Sequence, residues 1–155
     1  MAVDGALGNA LYYKDRVEYN TKINIDQRFK MKIRIYYEDT DIAGIVYHAN
    51  YIKYCERDRS EIFFKENILP TLGVNSTFVV KSLNANFLAS VTLGDIIEVK
   101  SELLEMKNAS FKIKQTIYKD EKKIFEMTIT LAYISFEGKA QKLDIKTKEL
   151  LLSLF

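Results

Sequence analysis

The chain has 155 residues, of which 48% are hydrophobic and 28% charged, and 23 basic against 21 acidic side chains leave a net charge of +2. That near balance excludes a whole-molecule attraction to nucleic acid, and the single cysteine, Cys55, excludes an internal disulfide and fits a reducing compartment. No apolar run approaches the roughly 20 residues needed to span a bilayer, and the first residues lack the basic and apolar blocks of a secretory signal. A cytoplasmic protein without membrane insertion is expected.

Residues 1–30 mix Gly5, Gly8, Asn9, Asn20 and Asn24 with scattered charge and show no sustained period. They read as an N-terminal extension of unassigned role, with a short helix near Leu7–Tyr13, and residues 31–155 read as one folded domain. From Met31 the pattern sharpens. "MKIRIYYE" alternates Met31, Ile33, Ile35 and Tyr37 against Lys32, Arg34, Tyr36 and Glu38, as a half-buried strand does. "NYIKYCERDRSEIFFKENIL" changes to helical spacing, with Ile52, Cys55, Arg59, Ile62 and Phe63 on one face. Asn50 is the expected N-cap, and Pro70 and Gly73 are expected to close the unit.

Four strand patterns follow. "TFVVKSLNANF" places Val79, Leu83, Ala85 and Phe87 on one side, and "DIIEVKSELLEM" places Ile97, Val99 and Leu103 on one side. "SFKIKQTIY" and "KIFEMTITLAYISF" alternate in the same way, and "DIKTKELLLSLF" predicts a short C-terminal helix. The linking segments, such as "MKNAS" and "KDEKK", are too short for crossovers, so consecutive strands are expected to form antiparallel hairpins. One long amphipathic helix against one antiparallel sheet makes an α+β two-layer domain. Its free sheet edges make oligomerisation a natural remedy.

The segment "YEDTDIAGIVYHANY" gathers Glu38, Asp39 and Asp41 just ahead of His48, the only histidine. A calcium loop would want Asp39, Asp41 and Gly44 at positions 1, 3 and 6, but Ala43 and Asn50 then occupy positions 5 and 12, so the closing bidentate carboxylate is missing. One His and one Cys cannot furnish a structural zinc site. There is no G-x-S-x-G elbow and no glycine-rich phosphate loop. Cys55, on the apolar helical face, reads as a buried small hydrophobe. What remains is a carboxylate, a histidine and a helix N-terminus side by side. Unpaired amides in a first helical turn can hold a carbonyl oxygen as it becomes an oxyanion. Asp41 could attack that carbonyl or deprotonate a water, and His48 could hydrogen-bond the leaving group or the water. A cap or surface role for the histidine explains the same residues without catalysis.

The stretch Tyr36–Phe63, "YYEDTDIAGIVYHANYIKYCERDRSEIF", resembles the YbgC-like acyl-CoA thioesterases, relatives of 4-hydroxybenzoyl-CoA thioesterase with the hotdog fold. The signature D-x-D-x-x-G-x-V-Y-H-x-N-Y is met by Asp39, Asp41, Gly44, Val46, Tyr47, His48, Asn50 and Tyr51. It is specific for the group and much less so for the substrate. The order of elements fits from Met31 onward, about four-fifths of the chain. Asp58 stands where a small residue is more usual, and Leu88 where many members carry a proline.

The resemblance implies a curved antiparallel sheet wrapped around one long helix. It assigns Asp41 as the catalytic carboxylate, nucleophile or general base, and His48 as a catalytic residue whose backbone N–H forms the oxyanion hole. It places Tyr37 among the residues that position groups at the site, and gives Asn50, Glu56 and Arg59 supporting positions. It implies an acyl-CoA substrate, edge-to-edge homodimers that can pair into homotetramers, a site at the subunit interface, and no metal or organic cofactor. Two other functions compete: a non-hydrolytic acyl-thioester binding protein, and a hotdog dehydratase. The second lacks its usual proline-rich segment, since Pro70 is the only proline.

Overall fold

The computed structural model describes residues 30–70 and 75–155. The helix expected near Leu7–Tyr13 and the expected role of Gly73 lie outside them. Strand β1 (Met31–Arg34) is shorter than its alternation predicts. Beyond it the backbone turns inward: Asp39 N donates to Tyr36 O at 3.1 Å, and the Asp39 carboxylate accepts from Tyr36 N at 2.8 Å. These local bonds close a 3-10 turn at Tyr37–Asp39 in place of further ladder. Tyr37 therefore sits in a turn and not at a strand end.

Helix α1 (His48–Phe64) has its N-cap three residues before the expected one. Its N-cap is Tyr47, in extended backbone and without a side-chain cap bond, while Asn50 lies within the first turn. Asn50 is thus not the cap; its side-chain N–H donates to Asp39 O at 2.9 Å. The helix stops at Phe64, ahead of Pro70. Asn67 takes a left-handed φ of 56°, a conformation that asparagine tolerates after a helix, and Ile68 N returns to Phe63 O. Tyr51, Tyr54, Cys55, Ile62 and Phe63 are buried, and Asn50, Asp58 and Arg59 are buried with them.

Strands β2 (Ser76–Phe87), β3 (Ile96–Met106), β4 (Ser110–Lys119) and β5 (Lys122–Ser135) join β1 in one antiparallel sheet of order β1-β3-β4-β5-β2. β3–β4 and β4–β5 are the expected hairpins. The second turns through Asp120 and Glu121, both at positive φ, as a two-residue hairpin loop of primed type requires. β2 and β3 do not pair, contrary to the hairpin expectation; residues 88–95 carry the chain across the sheet end instead. Leu88 N and Ala89 N both reach Ile124 O, and Asp95 pairs with Lys119 at 2.8 Å, so this strap is tied to the β4–β5 end.

The phase of β2 also departs from simple alternation. Its register with β5 shifts between Val80 and Ser82, leaving Lys81 as the extra residue of a bulge. Phe78, Val80, Leu83, Ala85 and Phe87 oppose Tyr133, Leu131, Ile129, Met127 and Phe125, the core-side residues of β5, so Val79 falls on the other face. The core lies between α1 and the sheet and includes Ile35, Ile97, Ile113, Ile117 and Phe125, all fully buried. The opposite sheet face is solvated and carries pairs such as Lys32–Glu98, Lys100–Glu102 and Lys114–Glu126. Helix α2 (Ile145–Leu154), capped by the Asp144 carboxylate on Thr147 N at 2.7 Å, buries Leu151, and Phe155 beyond its end packs against Phe63 and Phe111. This is the α+β hotdog arrangement that the resemblance implies.

Candidate active site

Asp41 opens a small hairpin between the 3-10 turn and α1. Thr40 bridges to Val46, Asp41 N donates to Ile45 O at 2.9 Å, and Gly44 N donates to Asp41 O at 2.9 Å. Gly44 has φ 76°, the left-handed position that ends a three-residue loop of this kind. The Asp41 carboxylate is part of the turn: its Oδ1 accepts from Ala43 N at 2.8 Å. Its Oδ2 accepts nothing among the described residues. One oxygen thus fixes the carboxylate and the other is left to act.

The hairpin runs straight into the helix. Tyr47 N donates to Asp39 O and Asn50 N to Tyr47 O, each at 2.9 Å. The amides of His48 and Ala49, between them, meet no backbone acceptor outside the helix among the described residues, and they stand too early in α1 to have one inside it. They carry the partial positive charge of a helix start. The His48 ring is exposed, 4.4 Å from the Tyr47 ring and 6.4 Å from that of Phe87 between centroids. From beneath, the strap 88–95 supports the hairpin: Val46 N donates to Val91 O at 2.9 Å, Ile45 bridges to Thr92, and Val91 is fully buried.

The other expected site residues divide. Asn50 joins the assembly through Asp39. Tyr37 stands 83% exposed. Glu56 is exposed on α1, where it accepts from Ser60 Oγ at 2.7 Å. Arg59 is buried and donates to Gln115 Oε1, so it serves the core. Sequence reasoning missed the polar layer around it. Gln115 Nε2 donates to Cys55 O and to Ser101 Oγ, and Ser101 Oγ donates to Asp58 Oδ2, while Asp58 Oδ1 has no partner. Burial pushes the Asp58 carboxyl up to about 6 and the Cys55 thiol up to about 12, the range of an inert buried cysteine. Two signals were available: an acidic residue on an apolar helical face, and Ser101 and Gln115 at core-phase strand positions.

The family model described as "Thioesterase superfamily" matches residues 43–126, more than half of the chain. The chain belongs to this superfamily. The acyl-CoA thioesterase YbgC of Helicobacter pylori is 47% identical over 88 residues, which cover 57% of this chain and 65% of the relative's own length, just under two thirds. The acyl-CoA thioesterase YbgC of Haemophilus influenzae is 31% identical over 115 residues, covering 71% of this chain and 83% of that one. The crystal structure of a probable thioesterase from Bartonella henselae superposes with a TM-score of 0.70 at 30% identity, over 75% of this chain and 98% of its own. Superfamily membership accords with the hotdog fold.

Proposed function

We propose that the chain is an acyl-CoA thioesterase, hydrolysing the thioester to free CoA and a carboxylic acid. The observation that carries this is the divided Asp41 carboxylate, with Oδ1 held by the turn and Oδ2 unengaged, on the hairpin that leads directly into two unpaired helix-start amides. The substrate carbonyl oxygen accepts from the His48 amide, and Ala49 offers a second donor. As the acyl carbon becomes tetrahedral, charge grows on that oxygen, where removal of one fixed donor costs about 2.7–4 kcal/mol. Asp41 Oδ2 either attacks the carbon or takes a proton from the water that does. The C–S bond then breaks and CoA leaves as the thiolate, with the His48 ring as hydrogen-bond donor. If Asp41 attacked, water cleaves the resulting acyl–Asp41 anhydride and regenerates the carboxylate. On either route the proton taken from water ends on the CoA sulfur. Tyr37 stands on the exposed turn that leads into this hairpin, where it can help position the bound thioester.

The printed names of the YbgC relatives support an acyl-CoA substrate. We assign the protein to the cytoplasm; no helix among the described residues is long and apolar enough to cross a membrane. The active form is a homodimer or a tetramer built from dimers. β2 is a 12-residue edge strand whose core side leaves Val80, Leu83 and Phe87 exposed, and a second copy adding strand to strand would cover it.

The decisive variant is Asp41→Asn. The asparagine oxygen can still accept from Ala43 N, so the turn is kept while the charge is lost. Hydrolysis of the best substrate from a C2–C16 acyl-CoA panel should fall by about 10²-fold or more. Near wild-type turnover with the fold intact would remove Asp41 from the chemistry. CoA binding without thiol release by the wild type would favour the non-hydrolytic acyl-thioester binder.

A further inference from the structure

Two aspartates lie two residues apart in this loop, and their surroundings differ. We propose that Asp39 is a positioning residue, which locks the Asp41 hairpin to the start of α1 while its own charge takes no part in the reaction. The proposal rests on the thioesterase reading of the Asp41 hairpin. The Asp39 carbonyl accepts two bonds, from Tyr47 N and from Asn50 Nδ2, both at 2.9 Å. Its carboxylate accepts from Tyr36 N, and its own N–H returns to Tyr36 O. Tyr54 lies four residues beyond Asn50, hence on the same helical face. Its buried hydroxyl lies near the Asp39 carboxylate but outside hydrogen-bond geometry, and its pKa is raised first by burial and then by that carboxylate.

Asp39 is therefore held at its carbonyl by the helix start and at its carboxylate by the preceding turn. Asp41 follows two residues later, and Tyr47, bonded to the same carbonyl, immediately precedes the His48 amide. The node spans both groups that must meet the acyl carbon. A displacement of about 1 Å between such groups can cost about 10²-fold in rate. Each carboxylate accepts one backbone N–H, Asp39 Oδ2 from Tyr36 N and Asp41 Oδ1 from Ala43 N. What distinguishes Asp39 is its carbonyl, which holds Tyr47 N and Asn50 Nδ2 at the helix start.

The test compares Asp39→Ala with Asp39→Asn, using the full chain and its best acyl-CoA. Asp39→Ala should lower kcat by about 10–100-fold with KM changed no more than about twofold. Asparagine can still accept from Tyr36 N, so Asp39→Asn should keep kcat within about threefold and leave the pH profile of kcat where the wild type has it. The proposal is overturned if Asp39→Asn falls as far as Asp39→Ala, if it moves the pH profile, or if folded Asp39→Ala keeps wild-type kcat. The amide resonances of His48 and Ala49 give a second readout that needs no turnover; they should shift in Asp39→Ala and stay in place in Asp39→Asn. A wild type inactive on the whole panel would sink the thioesterase reading, and the amide shifts would still decide whether Asp39 sets the helix start. Should Asp39→Ala not fold, Asn50→Ala removes one of the two bonds to the Asp39 carbonyl and leaves that of Tyr47 N. It should give a smaller kcat loss and an amide shift of the same sense, and unchanged kcat and amide resonances would overturn the proposal.

Discussion

Asp58 and Arg59 bring two ionisable groups into the layer between α1 and the sheet, and the cost of their burial falls unevenly. Arg59 has the Gln115 oxygen, but Asp58 leaves one carboxylate oxygen without a partner. Burial raises the folded-state pKa of Asp58 to about 6 from an ordinary 3.8, so the folded protein binds this proton more tightly than the unfolded chain does. The sign follows from linkage: the contribution is fully present below the ordinary value and is lost as pH rises through about 6. Urea unfolding should show wild-type stability falling by roughly 1 kcal/mol from this group between pH 5 and pH 8. Asp58→Asn, whose amide oxygen can still accept from Ser101, should flatten that part of the profile, and an unchanged slope would refute the assignment. The sequence showed Asp58 as out of place but not its fate, because Ser101 lies 43 residues away and only the register of β3 brings it under the helix.

At the scale of elements, the Asp41 hairpin depends on Gly44. A Cβ there would meet nothing within 4 Å, so a substitution is opposed only by the left-handed backbone. Gly44→Ala should cost about 1–2 kcal/mol, and Gly44→Asn less, because asparagine tolerates this conformation; equal losses in urea midpoints would argue for a different cause. The C-terminal helix and most of the strand phases were legible in the sequence. The start of α1 was displaced because Asn50, which has the chemistry of a cap, lies inside the first turn and uses its side-chain N–H to hold Asp39 O instead. The phase of β2 failed at Lys81 because a bulge adds a residue without any mark in composition. Val79 and Val80 are equally suited to a core, and pairing with β5 chooses between them.

For the whole molecule, the two-layer architecture followed from one helical period among several strand periods, whereas the strand order did not. The eight residues between β2 and β3 are as short as a hairpin loop, yet they traverse the sheet end, and only long-range pairing reveals it. The same pairing leaves β2 as an open edge. Light scattering should give at least twice the chain mass at micromolar concentration. Leu83→Lys, which adds a charge of the sort that natural edge strands use against association, should shift the population toward monomer and reduce activity in proportion; an active monomer would separate the site from the second copy.

The strap at residues 88–95 ties the order of assembly to the chemistry. Asp41 and His48 are made early in the chain, but the shelf beneath them arrives only with Val91 and Thr92 and is bolted down later still, when Lys119 reaches Asp95. Such distant pairings close slowly, so a chain shortened before β4 would keep Asp41 and His48 yet lack the Asp95–Lys119 tie beneath the loop that carries them.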